Sequence, residues 1–167
     1  TGLYNRRFFN QTFPSELARS KRVQGYFAFV ILDVDNFKKY NDNYGHQLGD
    51  EVLRSIGKVL NTSSRRAGDF LFRLGGEEFG AIINCNKKPD AKQFSEILRQ
   101  RIQELNIEHR HNPPHQLITA SFGLRVVNTE IEIDISVDDI YKQADEQLYK
   151  AKESGRNQIQ IHITPSE

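Results

Sequence analysis

The chain has no methionine, a single cysteine and almost no net charge, with 23 lysines and arginines against 22 aspartates and glutamates for a formal +1. Each shortage excludes something. With Cys85 alone no internal disulfide can form, which fits a reducing compartment. Near-neutrality removes any global field toward nucleic acid or membrane, so an anion site has to be built locally. No apolar run approaches the roughly 20 residues that span a bilayer, and no signal-peptide pattern opens the chain. Beginning at Thr1 without methionine, the sequence reads as a piece of a longer protein whose missing N-terminal part is a sensor, a membrane anchor or both. What is present is ordinary for a globular protein: 167 residues, 37% apolar and 27% charged, enough to bury a core without disulfides. One domain over residues 1–167 is expected, without repeats, low-complexity tracts or linkers.

Hydrophobic patterning sets out the elements. Asn5 is placed to cap a helix carrying Phe8, Phe9 and Phe13 inward, with Pro14 interrupting it or starting a second segment that ends near Val23. Residues 26–32 are an unbroken apolar run, the pattern of a strand buried on both faces, and they end in Asp33-Val34-Asp35. A polar, turn-rich stretch over residues 36–49 precedes a helix over 50–60. Strands over 69–74 and 79–84 flank Gly75-Gly76, whose pairing suits the positive φ of a hairpin turn. A helix over 90–105, a strand over 117–127, a helix over 137–154 with Ile140, Ala144, Leu148 and Ala151 on one face, and a strand over 158–163 complete the chain. The expected class is α/β, a mostly antiparallel central sheet covered by helices.

Acid is concentrated at Asp33 with Asp35, at Glu77 with Glu78, and at Asp42 with Asp50. If the first strand lies beside the glycine hairpin, Asp33 and a hairpin glutamate converge, and a hard divalent cation relieves their repulsion. Mg²⁺ takes oxygen ligands and often uses one or two carboxylates beside substrate phosphates, which implies a nucleoside triphosphate. Lys38, Lys152 and Arg156 are candidate phosphate cations, although spacing alone leaves a solvated surface role open. Asp35 and Asp42 are equally readable as turn caps, and Asp50 as a helix N-cap. His109, His111 and His115 beside Pro113-Pro114 read as a solvated loop rather than a metal cluster.

These residues together resemble the GGDEF family of diguanylate cyclases. The hairpin Gly75-Gly76-Glu77-Glu78-Phe79 is the GGEEF form of its name motif. The resemblance runs on through Thr1-Gly2-Leu3-Tyr4-Asn5-Arg6-Arg7, Asp33-Val34-Asp35-Asn36-Phe37-Lys38, Asn41-Asp42, Tyr44-Gly45-His46, Gly49-Asp50, Ala120-Ser121-Phe122-Gly123, Ala144-Asp145, and Leu148-Tyr149-Lys150-Ala151-Lys152 with Gly155-Arg156-Asn157. It implies a fold like the palm of nucleotide cyclases and polymerases, and a homodimer that joins two GTP into cyclic di-GMP with release of two pyrophosphates.

It further implies two Mg²⁺ or Mn²⁺ ions per site, with Asp33, the Val34 carbonyl and Glu77 as ligands. Glu78 serves a second ion or the ribose 3′-hydroxyl. Asn36, Phe37, Lys38, Lys152 and Arg156 are implied at the phosphates, and Asn41 with Asp50 at guanine. A carboxylate can accept from guanine's ring N–H and amine together, which adenine does not offer.

Arg66-Ala67-Gly68-Asp69 matches the family's RxxD inhibitory site, implying product feedback through Arg66 and Asp69, with Arg99 or Arg101 as the assisting arginine. A catalytically idle domain sensing GTP or cyclic di-GMP is the alternative, disfavoured because Glu77 and Glu78 are present. Polymerisation of nucleic acid is disfavoured by the lack of a basic channel. The expected place of action is the cytoplasm, without membrane contact by this domain, the whole protein being anchored to the inner membrane if its missing part is an anchor.

Overall fold

A computed structural model describes residues 2–63, 69–85 and 87–165. In chain order the elements are α1 (Arg6–Val23), β1 (Tyr26–Val34), α2 (Phe37–Tyr44), α3 (His46–Ser63), β2 (Phe70–Gly75), β3 (Glu78–Cys85), α4 (Ala91–Gln103), β4 (Ala120–Asn128), α5 (Val137–Glu153) and β5 (Ile159–Ile163). The strands form one sheet in the order β2-β3-β1-β4-β5. Among the pairings of these five strands, β4–β5 alone is parallel. The sheet is therefore mostly antiparallel and covered by helices, as the patterning requires.

β1 lies at the centre because its apolar run has partners for both faces. Successive strand side chains point to opposite sides. Ala28, Val30, Leu32 and Val34 pack with Val52, Leu53, Ile56 and Leu60 of α3 and Leu98 and Ile102 of α4. Phe27, Phe29 and Ile31 pack with Phe9, Phe13 and Leu17 of α1 and Ile140, Ala144 and Leu148 of α5. Helix and strand backbones come close at Gly123 of β4, where an added Cβ would stand 2.2 Å from the Ala144 carbonyl oxygen and 2.3 Å from the Leu148 nitrogen. That contact seats α5 directly on the strand backbone.

Two expected boundaries and one expected exposure change. α1 runs unbroken through Pro14. Phe9, Phe13 and Leu17 recur every four residues and are all buried, and that burial outweighs the roughly 3 kcal/mol of an interior proline. The polar stretch before residue 50 is helical: α2 and α3 meet at Gly45, whose φ of 91° makes the break. Asp50 is the fifth residue of α3 and hence not its N-cap. The loop carrying the histidines also differs from expectation. His111 and His115 are exposed, but His109 is fully buried, edge-on to Tyr40 and close to an Asn36 carbonyl contact that the polar loop composition did not reveal.

Candidate active site

The acids of β1 and the glycine hairpin meet because β1 and β3 are antiparallel neighbours, with Asp33 opposite Glu78 in the register. Gly75 and Gly76, at φ 150° and 47°, carry the reversal, and the Arg73 guanidinium donates to the Gly76 carbonyl from across the turn. The Val34 amide donates to the Glu77 carbonyl at 3.3 Å, fastening the hairpin to the end of β1. From the other side α5 brings Lys152 onto Asp33, Nζ to Oδ2 at 2.8 Å.

Asp33 is 14% exposed in its side chain. Burial pushes its carboxyl up to about 6; Lys152 opposes that rise, and the nearby Glu77 and Glu78 charges add to it. Among the described residues no three His, Cys, Asp or Glu side chains form a ready-made ligand set. Asp33 pairs with Lys152, its one ion-pair partner among the described residues, and such a cluster suits a cation that takes few protein ligands and completes its shell with phosphate and water, as Mg²⁺ does.

The remaining predicted residues fall on the same end of the sheet. Asn36 adopts the left-handed conformation before α2, and its amide donates to Asn112 Oδ1 at 2.9 Å. Phe37 is buried under the first turn while Lys38 is exposed. The first amides of α2 have no partner within the helix, and such groups favour anions. Asn41 Oδ1 is buried without a hydrogen-bond partner. Gly49 of α3 faces it so closely that a Cβ would come within 1.9 Å of that oxygen. The next residue, Asp50, is exposed, which puts both predicted base readers at the α2–α3 junction. Arg156 is exposed just beyond α5, at φ 63°, its amide bonded to the Ala151 carbonyl at 2.9 Å.

Two contacts were beyond sequence reasoning. Asp35, expected to cap a turn, is 1% exposed and accepts from Thr119 Oγ1 at 2.7 Å, Ser121 Oγ at 2.6 Å and the Asn157 amide at 3.1 Å. Tyr141 of α5 donates to Glu78 Oε1 at 3.2 Å. The first had a faint signal in the hydroxyls of the Ser121 strand; the second had none.

A sequence profile of the family described as diguanylate cyclase, GGDEF domain, matches residues 1–158. The chain belongs to the GGDEF family. Among similar proteins, diguanylate cyclase DgcS of Shewanella oneidensis is 38% identical over 98% of this chain, and diguanylate cyclase VdcA of Vibrio cholerae 39% identical over 95%. The chain spans 52% and 44% of those two relatives' lengths. The active GGEEF domain of a Vibrio cholerae diguanylate cyclase superposes with a TM-score of 0.81 at 33% identity, covering 98% of this chain and 99% of that one. The coiled coil and GGDEF domain of DgcB from Caulobacter crescentus, in complex with c-di-GMP, gives 0.83 at 27% identity over 97% of this chain and 83% of that one.

The predicted inhibitory pair is only half within the described part of this GGDEF domain. Arg66 lies outside the described residues. Asp69 stands just before β2 and lines a cavity of about 200 Å³ with Ile83, Pro89, Asp90, Phe94 and Ile97. Of the candidate assisting arginines, Arg99 pairs with Glu96 and donates to Asn157 Oδ1 at 3.0 Å, and Arg101 reaches Thr62 and Ser63. No helix among the described residues is long and apolar enough to cross a membrane.

Proposed function

We propose that this domain condenses two GTP into cyclic di-GMP and two pyrophosphates, with two copies facing each other and each presenting one nucleotide. The observation that carries the reading is the meeting of Asp33 with the two hairpin glutamates, in a place where burial already makes the Asp33 carboxylate costly. In each half-reaction the 3′-oxygen of one GTP bonds to the α-phosphorus of the other. The bond from that phosphorus to the oxygen bridging to the β-phosphate breaks, and pyrophosphate leaves with the electron pair. Positioning and charge neutralisation do most of this work.

Each residue has a part. Asp33, the Val34 carbonyl and Glu77 would hold Mg²⁺ or Mn²⁺, with Glu78 serving a second ion or the 3′-hydroxyl. Those ions supply charge neutralisation at the phosphates when bound. Lys152 neutralises Asp33 in the free domain and turns to phosphate when a cation replaces it. Lys38, Arg156 and the α2 amides beyond Asn36 and Phe37 cradle the remaining phosphate oxygens. Asn41 and Asp50 read the guanine edge, a role supported by the unpartnered Asn41 oxygen.

Product feedback through Arg66 and Asp69 belongs to the same reading, supported by the DgcB complex with c-di-GMP. The reading extends to a single catalytic unit over residues 1–167, acting in the cytoplasm.

Incubating the purified domain with GTP and Mg²⁺ at high protein concentration, with chromatographic identification of product, tests the assignment. Cyclic di-GMP is expected, and its absence under forced dimerisation overturns it. Added product should slow the parent and not Asp69→Ala; equal inhibition removes the feedback claim.

A further inference from the structure

We infer that Tyr141, oriented by Arg6, is a positioning residue for Glu78, and that it ties the start of α1 to the acidic tip of the hairpin. The inference rests on the cyclase reading of Glu78. Three residues from three separate elements form one chain of hydrogen bonds. Arg6 Nη1 donates to the Tyr141 hydroxyl at 3.2 Å, and that hydroxyl lies 3.2 Å from Glu78 Oε1. Its direction is forced by chemistry. Arginine has only donors, so the tyrosine oxygen accepts from Arg6, and its one proton is left for the glutamate.

The tyrosine cannot easily swing away. Its ring stacks on Phe29 of β1 at 5.4 Å between centroids and meets Phe9 of α1 at 6.2 Å. The Arg6 guanidinium sits 5.3 Å from the centroids of both the Phe9 and Tyr141 rings, a cation over two aromatic faces. By contrast the Glu77 carboxylate meets no hydrogen-bond donor among the described residues. Holding one oxygen of Glu78 fixes the rotamer of that side chain and leaves its other oxygen for the site. A side chain held in its working geometry before substrate arrives contributes to rate rather than to ground-state affinity.

The same N-terminal stretch grips the hairpin a second time. Two residues before Arg6, Tyr4 pairs with the outer strand of the hairpin, its amide donating to the Leu71 carbonyl at 3.1 Å and its carbonyl accepting from the Arg73 amide at 2.8 Å. A shift of the residues leading into α1 is therefore felt at both the strand and the acid.

Tyr141→Phe tests this by removing one oxygen while keeping the ring stack. The expected result is a loss of about tenfold in kcat for cyclic di-GMP formation, a KM for GTP within about twofold of the parent, and a melting temperature within about 3 °C. Arg6→Met should give a smaller loss of the same kind, and the double variant no more than Tyr141→Phe alone. A Tyr141→Phe enzyme with parental kcat overturns the proposal, as does a matching rise in KM with a large fall in melting temperature, which marks a merely structural role.

A stability cycle between Tyr141→Phe and Glu78→Gln, on the nucleotide-free domain, separates this idea from the cyclase reading. Coupling of about threefold or more in the unfolding constant supports the contact, and none overturns it. An inactive parent overturns the cyclase reading alone, and the coupling still decides whether Tyr141 holds Glu78.

Discussion

Asp33 and Asp35 stand two residues apart at the end of the same strand and live in opposite electrostatic worlds. Asp35 is closed off, with two hydroxyls and a backbone amide filling its oxygens. Asp33 has one lysine, two glutamates for neighbours and a carboxyl pushed up to about 6. A carboxylate saturated by fixed donors shapes the chain around it. One left short of donors is open to a cation. Number of partners, rather than burial, separates the structural acid from the site acid, since both are largely removed from water.

Exchanging either acid for its amide should break the comparison most sharply. Asp33→Asn is expected to lower cyclic di-GMP formation by about 10³-fold or more while leaving the melting temperature of the chelated domain level or higher. Asp35→Asn should do the reverse first, destabilising the fold by about 2–4 kcal/mol in urea titration because its donors lose a charged acceptor. If Asp35→Asn kept full stability and lost only turnover, the division would be wrong.

A smaller effect concerns the guanine end. Gly49→Ala puts a methyl 1.9 Å from Asn41 Oδ1 and 3.3 Å from the buried Phe37 ring, so the Asn41 amide has to swing aside while the ring gives by a few tenths of an ångström, and the loss of stability should be small beside the effect on GTP. The KM for GTP should rise by about tenfold, with kcat nearly kept; an unchanged KM would remove Asn41 from base reading.

The smallest effects are in pH and have opposite signs at the two ends. The folded state of the chelated domain binds a proton at Asp33 more readily than the unfolded chain, whose model value is 3.8. That contribution is present at low pH and is lost as pH rises toward about 6. His109, behind Asn36, is lowered from 6.5, first by burial, with its bond to the Asn36 carbonyl opposing. Its contribution is present above 6.5 and lost as pH falls below it. Stability curves of Asp33→Asn and His109→Gln against the parent, in chelator, should flatten these two slopes separately. A common slope in all three proteins would refute the assignment.

Much of this was legible in advance. The apolar run of β1, the glycine hairpin and the amphipathic face of α5 are local patterns, and all three took the expected form. The errors share a cause. Pro14 is a local break signal, while the burial of Phe9, Phe13 and Leu17 that overrides it is tertiary. His109 lies in a locally polar loop, while its surroundings come from the Asn36 turn and α2, 73 residues earlier.

By itself, then, the sequence determined the five strands, the helices other than the polar α2 and the first turn of α3, the turn at Gly75-Gly76 and the presence of acid at two strand ends, because periodicity and turn chemistry act between near neighbours. Tertiary structure alone decided which acid is open. Asp33 meets Lys152 across 119 residues, and Asp35 meets Thr119 and Ser121 across 84 and 86. Glu78 meets Tyr141 across 63. Such partners are assigned by the packing of α5 onto β4 at Gly123 and by the pairing of β1 with both its neighbours, and no local preference encodes either.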